Sequence, residues 1–500
     1  MLKRIRIILA FFCFTAITLM FLDFTGTLHN YFEWLAHIQL LPAVMAGNIV
    51  VVAVVLLLTL LFGRWYCSIL CPMGVMQDLF YKPGLRHRNK KKVRQSAEGT
   101  KPMNKLRIAV LAVFVILLVA GVNAVALLIA PYSAYGRIAS NLFQPVYLWV
   151  NNLLAGVAEH YGSYAFYSAD VWLKSGLTLA VAAVTFVVVG FLAWRGGRTW
   201  CNTICPVGTV LGFVSKYALF KPVIDNNKCL SCGKCAKACK ASCINAKEKQ
   251  IDYSRCVGCM DCIGDCKQGA VSYQFVGLGK KAAKEVATDT TRRQMIIAGA
   301  AVAASSAVMA QEKEIDGGLA AIEDKKIPTR KTPIKPAGST SVKSFTNHCT
   351  ACQLCVSACP NGVLRPSGDF GTFMQPEMSY ERGYCRPECT ACADVCPAGA
   401  IKHIAKEEKV QYKIGLALYV ADNCVVNRDN VKCDSCFRHC PTGAIVMVPK
   451  TAGEDPDLPM TLKVPTIDET RCIGCGACEN LCPARPFSAI YVEGREDHLV

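Results

Sequence analysis

Of the chain's 30 cysteines, 24 fall into six runs of closely similar spacing. Two lie in the middle of the sequence: Cys229, Cys232, Cys235 and Cys239, then Cys256, Cys259, Cys262 and Cys266. Four follow toward the C-terminus: Cys349, Cys352, Cys355 and Cys359; Cys385, Cys389, Cys392 and Cys396; Cys424, Cys433, Cys436 and Cys440; Cys472, Cys475, Cys478 and Cys482. In such a run three thiolates wrap one face of a [4Fe–4S] cubane, while the fourth reaches across to a neighbouring cluster. On that rule Cys229, Cys232, Cys235 and Cys266 hold one cluster of the middle pair, and Cys256, Cys259, Cys262 and Cys239 hold the other. Zinc also takes thiolates, but repeated quartets at this spacing favour iron–sulfur. A disulfide framework does not repeat one tight spacing. Six [4Fe–4S] clusters are therefore expected.

Two departures stand out in the middle pair. Lys240 and Lys267 occupy the position where proline ordinarily follows the fourth cysteine, and Cys243 is left over. The lysines could offset the clusters' negative charge, although a solvated surface lysine is the plainer reading. Cys13 also belongs to no run.

A second device occurs twice. Gly63-Arg-Trp-Tyr-Cys67-Ser-Ile-Leu-Cys71-Pro72-Met-Gly74 is repeated as Gly197-Arg-Thr-Trp-Cys201-Asn-Thr-Ile-Cys205-Pro206-Val-Gly208. Cysteines four apart at a helix end share a face, so each pair makes half a site. If the repeats face each other, Cys67, Cys71, Cys201 and Cys205 form a seventh metal centre or a redox-active thiol pair; the alternative is packing cysteines at helix ends. Neither haem nor flavin is expected, because no Cys-x-x-Cys-His, no histidine deep in an apolar run and no Gly-x-Gly-x-x-Gly fingerprint is present. His29 and His37, beside Glu33 and Trp34, could line a quinol site, with exposed interfacial residues as the plainer reading.

The elements that must position these residues are largely membrane helices. The chain is 52% apolar, and four segments are long and apolar enough to span a bilayer: Ile5–Leu22, Leu40–Phe62, Leu106–Ala130 and Ser175–Trp194. Lys and Arg crowd the N-terminus and the segment from Arg64 to Lys101, whereas Asp23–Gln39 has none and Pro131–Trp172 only Arg137. The positive-inside rule puts both ends of this unit in the cytoplasm. The net charge of +18 thus reflects membrane topology, and no nucleic-acid-binding signature accompanies it.

The expected fold is an α-helical membrane domain, four transmembrane helices plus a fifth, carrying α+β two-cluster ferredoxin-like modules. Its divisions are a membrane domain at 1–222, a cytoplasmic two-cluster module at 223–275, a fifth membrane segment at 290–310, a linker at 311–344 and a four-cluster module at 345–500. Thr291-Arg292-Arg293 before an Ala-rich run resembles an internal twin-arginine export signal, which would place the last module in the periplasm already folded. Two observations oppose this: the run to Ala310 is short for a span, and lysines follow it. Cleavage after Ala310 is an alternative.

Residues 1–275 resemble NapH-type membrane ferredoxins in their helices, their two Cys-x3-Cys-Pro motifs and their two-cluster module. Residues 290–495 resemble NapG (MauM)-type four-cluster ferredoxins in Thr291-Arg292-Arg293, Cys385-x3-Cys389 and Ile414-Gly-Leu-Ala-Leu-Tyr-Val ahead of Cys424-x8-Cys433. The resemblance implies a bacterial inner-membrane protein that takes electrons from the quinol pool and passes them to an extracytoplasmic reductase or carrier. It also implies that the first C-terminal run shares clusters with the fourth, and the second with the third. Two other readings stay open: an assembly factor that reduces a metal site in a partner enzyme, and a structural scaffold without turnover.

Overall fold

In the computed structural model, which describes residues 2–90, 103–163, 165–277, 323–450 and 462–499, helices α1 (Leu2–Leu22) and α11 (Gly176–Gly196) run without interruption. They coincide with two of the expected spans, and among the described residues they are the two helices long and apolar enough to cross a membrane. The other two expected spans are broken. Leu40–Phe62 divides into α3 (Leu40–Met45) and α4 (Ile49–Phe62), separated by Gly47 at φ +68° and by Asn48, whose side chain accepts from Val51 N and starts the second helix. Leu106–Ala130 divides at Gly121, φ +76°, into α7 (Asn104–Val119) and α8 (Asn123–Ala126). Among the described residues, two of the four expected spans are thus continuous helices of spanning length. The segment at 290–310 and its export signal lie outside the described residues.

The bundle is completed by helices that the apolar runs did not announce. These are α5 (Trp65–Ile69), α6 (Pro72–Lys90), α9 (Pro131–Ile138), α10 (Gln144–His160), α12 (Thr199–Thr203) and α13 (Pro206–Ser215). Between α3 and α1 lies the short α2 (His29–His37). Helix α6 packs on α11, α9 and α1, while its repeat counterpart α13 packs on α4 and α7. The α6–α11 contact is close: a Cβ on Gly84 would stand 2.3 Å from the Trp194 carbonyl oxygen. Every residue of α9 is buried.

Beyond α13, β1 (Phe220–Ile224) pairs antiparallel with β4 (Val271–Phe275), Phe220 opposite Phe275, and encloses the small hairpin of β2 (Ile244–Asn245) and β3 (Gln250–Ile251). The C-terminal module is built on three further two-stranded antiparallel sheets. They pair β5 (Leu364–Pro366) with β6 (Pro376–Met378), β7 (Lys413–Tyr419) with β10 (Ile490–Leu499), and β8 (Ile445–Pro449) with β9 (Lys463–Ile467).

The two modules dock at opposite ends of α1. At its N-terminal end Lys3 pairs with Asp261 of the first module at 3.1 Å, and nearby Leu219 N donates to Leu60 O at 2.8 Å. At its C-terminal end Phe21 and the Cys352 carbonyl meet at Gly136, with Asn123 Nδ2 donating to Asn347 O at 2.9 Å and Asn141 Nδ2 to Gln353 Oε1 at 2.8 Å. From Lys3 to Phe21 a helix rises ~27 Å, close to the ~30 Å of a hydrocarbon layer.

Candidate metal centres

None of the 30 cysteines is in a disulfide. The structure gathers all but Cys13 and Cys243 into seven quartets. In the first module Cys235 adjoins Cys229, Cys232 and Cys266, while Cys239, Cys256, Cys259 and Cys262 line one small cavity together with Cys243. In the C-terminal module Cys396 joins Cys349, Cys352 and Cys355, and Cys359 joins Cys385, Cys389 and Cys392. Cys482 shares a cavity with Cys424, Cys433 and Cys436, and Cys440 shares one with Cys472, Cys475 and Cys478. The first run thus exchanges its fourth cysteine with the second, and the third with the fourth. This corrects the expected pairing of first with fourth and second with third. The reason is that each pair of short cluster helices packs with its sequence neighbour, as Leu354–Ala358 does with Ala391–Asp394.

A backbone device that the cysteine spacing does not reveal shapes four of these runs. The residues flanking the middle cysteine adopt left-handed conformations: Ser231 and Gly233, Gly258 and Met260, Ala351 and Gln353, Gly474 and Gly476. Such turns curl the chain around a central object and aim amides inward. Ala351 N donates to Cys349 Sγ at 3.4 Å, Ala444 N to Cys440 Sγ at 3.2 Å and Ala489 N to Cys482 Sγ at 3.3 Å. Lys409 Nζ adds a charged donor to Cys385 Sγ at 3.2 Å. The wider runs Cys385-x3-Cys389 and Cys424-x8-Cys433 lack the paired turns.

The donors fit [4Fe–4S] clusters. Thiolates on one zinc ion would stand ~3.8 Å apart, from a Zn–S bond of ~2.3 Å, yet among the described residues no three cysteine, histidine or carboxylate side chains converge tightly enough for a single ion. Three of the quartets instead line small cavities, those of Cys239, of Cys482 and of Cys440, as a cubane requires. Burial pushes the Cys352 thiol up to about 11 and the Cys436 and Cys475 thiols up to about 12. Loading these sites with iron must therefore expel protons. In the first module a hydrogen bond from the Cys243 thiol, outweighing burial, lowers Cys239 to about 7. Cys243 Sγ lies 3.4 Å from Cys239 Sγ, so the leftover cysteine is a fifth thiol at that quartet. Cys13 is buried within α1.

The seventh quartet lies inside the bundle. Cys67, Cys71, Cys201 and Cys205 are each 3% exposed and sit within electrostatic range of one another. The repeats that carry them are related in detail. Cys71 and Cys205 open α6 and α13, Gly208 N donating to Cys205 Sγ at 3.3 Å. Arg64 reaches across to the Cys201 carbonyl at 3.3 Å, and Arg198 reaches back to the Cys67 carbonyl at 2.5 Å. A Cβ on Gly74 or Gly208 would strike those carbonyls at 2.3 and 2.2 Å, so glycine is required at both places. Gln77 Nε2 donates to Cys201 Sγ at 3.1 Å, and Arg64 Nη2 points at Cys67 Sγ at 3.8 Å.

Two expectations about neighbouring residues are overturned. Lys240 is no solvated lysine: it is buried, and its Nζ bridges Asp78 at 2.9 Å and Asp261 at 3.1 Å. Lys267 is exposed. His29 is no exposed interfacial residue either, because its Nδ1 lies 3.1 Å from Asp23 Oδ2 in a buried pair that fixes the turn after α1. His37 and Glu33 are half-buried and Trp34 exposed.

Comparison with known proteins follows this geometry. A 4Fe-4S binding domain model matches residues 44–92 and 175–225, the two repeats around the buried quartet, and a 4Fe-4S dicluster domain model matches 348–425 and 431–485. "Ferredoxin-type protein NapF" of Escherichia coli is 30% identical over 162 residues, 32% of this chain and 85% of its own length. "Methylamine utilization ferredoxin-type protein MauM" of Methylobacillus flagellatus is 29% identical over 168 residues, 33% of this chain and 70% of its own length. "Ferredoxin-type protein NapG" of Escherichia coli is 29% identical over 179 residues, 33% and 75% respectively. No solved structure matches the chain. The cysteine quartets, their amide donors and these relatives together place the chain in the family of ferredoxin-type [4Fe–4S] electron-transfer proteins.

Proposed function

We propose that this protein is a membrane-embedded electron relay, fed by quinol, that passes electrons through [4Fe–4S] clusters at both ends of its bundle to an extracytoplasmic reductase or carrier. The observation that carries this reading is the docking of two cluster-type modules on opposite ends of α1, about one hydrocarbon thickness apart. The positive-inside pattern supports a cytoplasmic side for residues 223–275, and docking at the other end of α1 then supports a periplasmic side for residues 345–500. Six clusters occupy the ferredoxin quartets, and a seventh metal centre occupies the quartet of Cys67, Cys71, Cys201 and Cys205. The match of a 4Fe-4S binding domain to both repeats favours that seventh centre over packing cysteines.

Between the ends the chain supplies an aromatic bridge. Tyr66 lies within electrostatic range of Cys71, Cys67 and Cys205, Tyr132 within range of Cys352 and Cys396, and the two tyrosines within range of each other. Both are buried to 1% exposure. When bound, the clusters supply one-electron redox chemistry. The protein spaces them, excludes water and sets their potentials through the N–H···S contacts.

Anaerobically purified protein should contain about 24 iron atoms per chain, or about 28 with the seventh centre filled. In proteoliposomes a menaquinol analogue should bleach the cluster absorbance. Protease added to spheroplasts should digest the C-terminal module, and Arg292→Lys with Arg293→Lys should protect it. Iron near eight atoms, or clusters that quinol does not reduce, would overturn the relay.

A further inference from the structure

A cavity of about 330 Å³ lies between α1 and α6, outside every cysteine quartet. Its walls are apolar along Ile7, Phe11 and Phe14, and Phe11 and Leu79 are 70% and 53% exposed where it opens on the side of the bundle. Its inner end is charged. Arg6, Asp78 and Lys240 converge there, all less than a tenth exposed. Asp78 is fully engaged by Arg198 Nε at 2.8 Å and Lys240 Nζ at 2.9 Å. Arg6 is not. It shares the Asp78 carboxylate only as a looser ion pair, Nη1 at 3.7 Å from Oδ2, and its Nε and Nη1 have no hydrogen-bond partner among the described residues. Buried guanidinium donors without acceptors are expensive, so a ligand oxygen belongs at this end.

We infer that this cavity is the quinol site: Arg6 donates to a ring oxygen at the charged end, and the isoprenoid tail leaves between Phe11 and Leu79 toward lipid. A bare hydrocarbon chain would fill the apolar part but bring no acceptor to Arg6, whereas a quinol brings both a tail and a ring oxygen. The charged end is also one side chain from two quartets. Arg198 links Asp78 to the Cys67 carbonyl, and Lys240 follows Cys239 directly. Oxidation of the bound quinol breaks its two O–H bonds. With two oxidised [4Fe–4S] clusters bound, each would take up one of the two electrons, while the two protons leave to water at the charged end and quinone departs. This inference deepens the quinol-linked reading and rests on it.

The test uses the full-length, cluster-loaded protein in detergent and the fluorescent quinol-site inhibitor 2-heptyl-4-hydroxyquinoline N-oxide. Wild type should quench the probe saturably, and a short-chain menaquinol analogue should compete. Arg6→Gln should weaken binding at least tenfold, the loss of a charged hydrogen bond. Thr15→Trp, which fills the cavity away from the charged end, should abolish saturable binding. Iron content and dithionite-reducible absorbance should stay at the wild-type level in both. If Arg6→Gln loses iron, Thr15→Trp carries the test alone. Wild-type affinity and quinol reduction in both variants would move the site elsewhere and leave the quinol-linked reading standing. A wild type that neither binds the probe nor accepts electrons from quinol would defeat the reading, and the site with it.

Discussion

Gly136→Ala tests whether the C-terminal module is seated on the bundle as described. Helix α9 is buried along its whole length, and Gly136 faces the turn that carries Cys352. A Cβ there would stand 2.2 Å from the Cys352 carbonyl oxygen and 2.9 Å from Phe21 Cζ. An ordinary C···O contact is about 3.3 Å or more, so module and bundle must part by about 1 Å. The carbonyl cannot swing aside, because the left-handed Ala351 and Gln353 hold the turn on either side. Overpacking of this kind costs about 1–3 kcal/mol, which lowers the ratio of docked to undocked molecules by about 5- to 150-fold. The hydrogen bonds at stake include Asn123 to Asn347, Asn141 to Gln353, and Ser140 Oγ to Ser357 Oγ at 2.8 Å.

Hydrogen exchange on protein in nanodiscs reads this directly. Amides of residues 345–358 should exchange faster by that factor, while the β1–β4 pair at the other end keeps its protection. Gly156→Ala in α10 is the control, since a Cβ there meets nothing within 4 Å; it should be neutral or stabilise by up to ~1 kcal/mol. Unchanged exchange at residues 345–358 in Gly136→Ala, with Cys352 still loaded, would refute the docking geometry.

Cluster pairing can be tested by iron counting. Cys396→Ser combined with Cys349→Ser should lose about four iron atoms, one cluster, whereas Cys396→Ser with Cys392→Ser should lose about eight; equal losses would contradict the pairing described here. Asp252 gives a pH signature. Burial raises its carboxyl, but hydrogen bonds from Ser254 and Arg255 outweigh that and hold it below the usual carboxylate range. Because the folded value lies below the unfolded one, its contribution to stability is present above about pH 4 and fades as the pH falls. Asp252→Asn should therefore flatten the acid limb of a melting-temperature profile and leave the neutral-to-alkaline limb parallel to wild type. At Tyr66 the hydroxyl donates to Gln39 Oε1 at 2.8 Å and accepts from Leu40 N at 3.2 Å. Tyr66→Phe should cost about 1–3 kcal/mol in thermal unfolding while keeping the ring and the electron-transfer rate; Tyr66→Leu should slow transfer between modules. Equal rates in Tyr66→Leu and wild type would remove the tyrosine bridge.

The cysteine runs were legible because three of each four ligands are local, set by a few residues of chain. Their pairing in the C-terminal module was not, since Cys396 reaching Cys349 is a fact of tertiary packing. Hydropathy found α1 and α11 but ran through Gly47 and Asn48 and through Gly121, where turn and capping chemistry interrupts an otherwise apolar stretch. Those three residues were the available signal. The left-handed turns were half visible: Gly233, Gly258, Gly474 and Gly476 mark them, whereas Ser231, Met260, Ala351 and Gln353 carry no sign of the conformation they adopt. Lys240 and His29 were misplaced for a common reason. A titratable side chain reads as solvated until its carboxylate partner is found, and Asp78 and Asp23 are found only in the fold.

The buried quartet of the bundle carries an electrostatic asymmetry that bears on what it holds. Arg64 and Arg198 occupy equivalent places in the two repeats, and both are fully buried. Arg198 has a carboxylate partner in Asp78. The groups facing Arg64 are the Asn202 amide oxygen at 2.7 Å, the carbonyls of Ser254 and Cys201, and the Cys67 sulfur. A buried cation stabilised by neutral dipoles alone is costly, and the discrepancy disappears if the sulfurs bear negative charge. Four neutral packing thiols would leave Arg64 uncompensated. A thiolate-ligated cluster is anionic and more so when reduced, so on the reading proposed above Arg64 and Arg198 would both hold it and would raise its potential. The glycines at 74 and 208 fit the same logic, since their missing side chains let each guanidinium reach the carbonyl of the opposite repeat. The repeat therefore brings two positive charges to one point inside the bundle, and on the proposed reading the four sulfurs would carry the negative charge that balances Arg64.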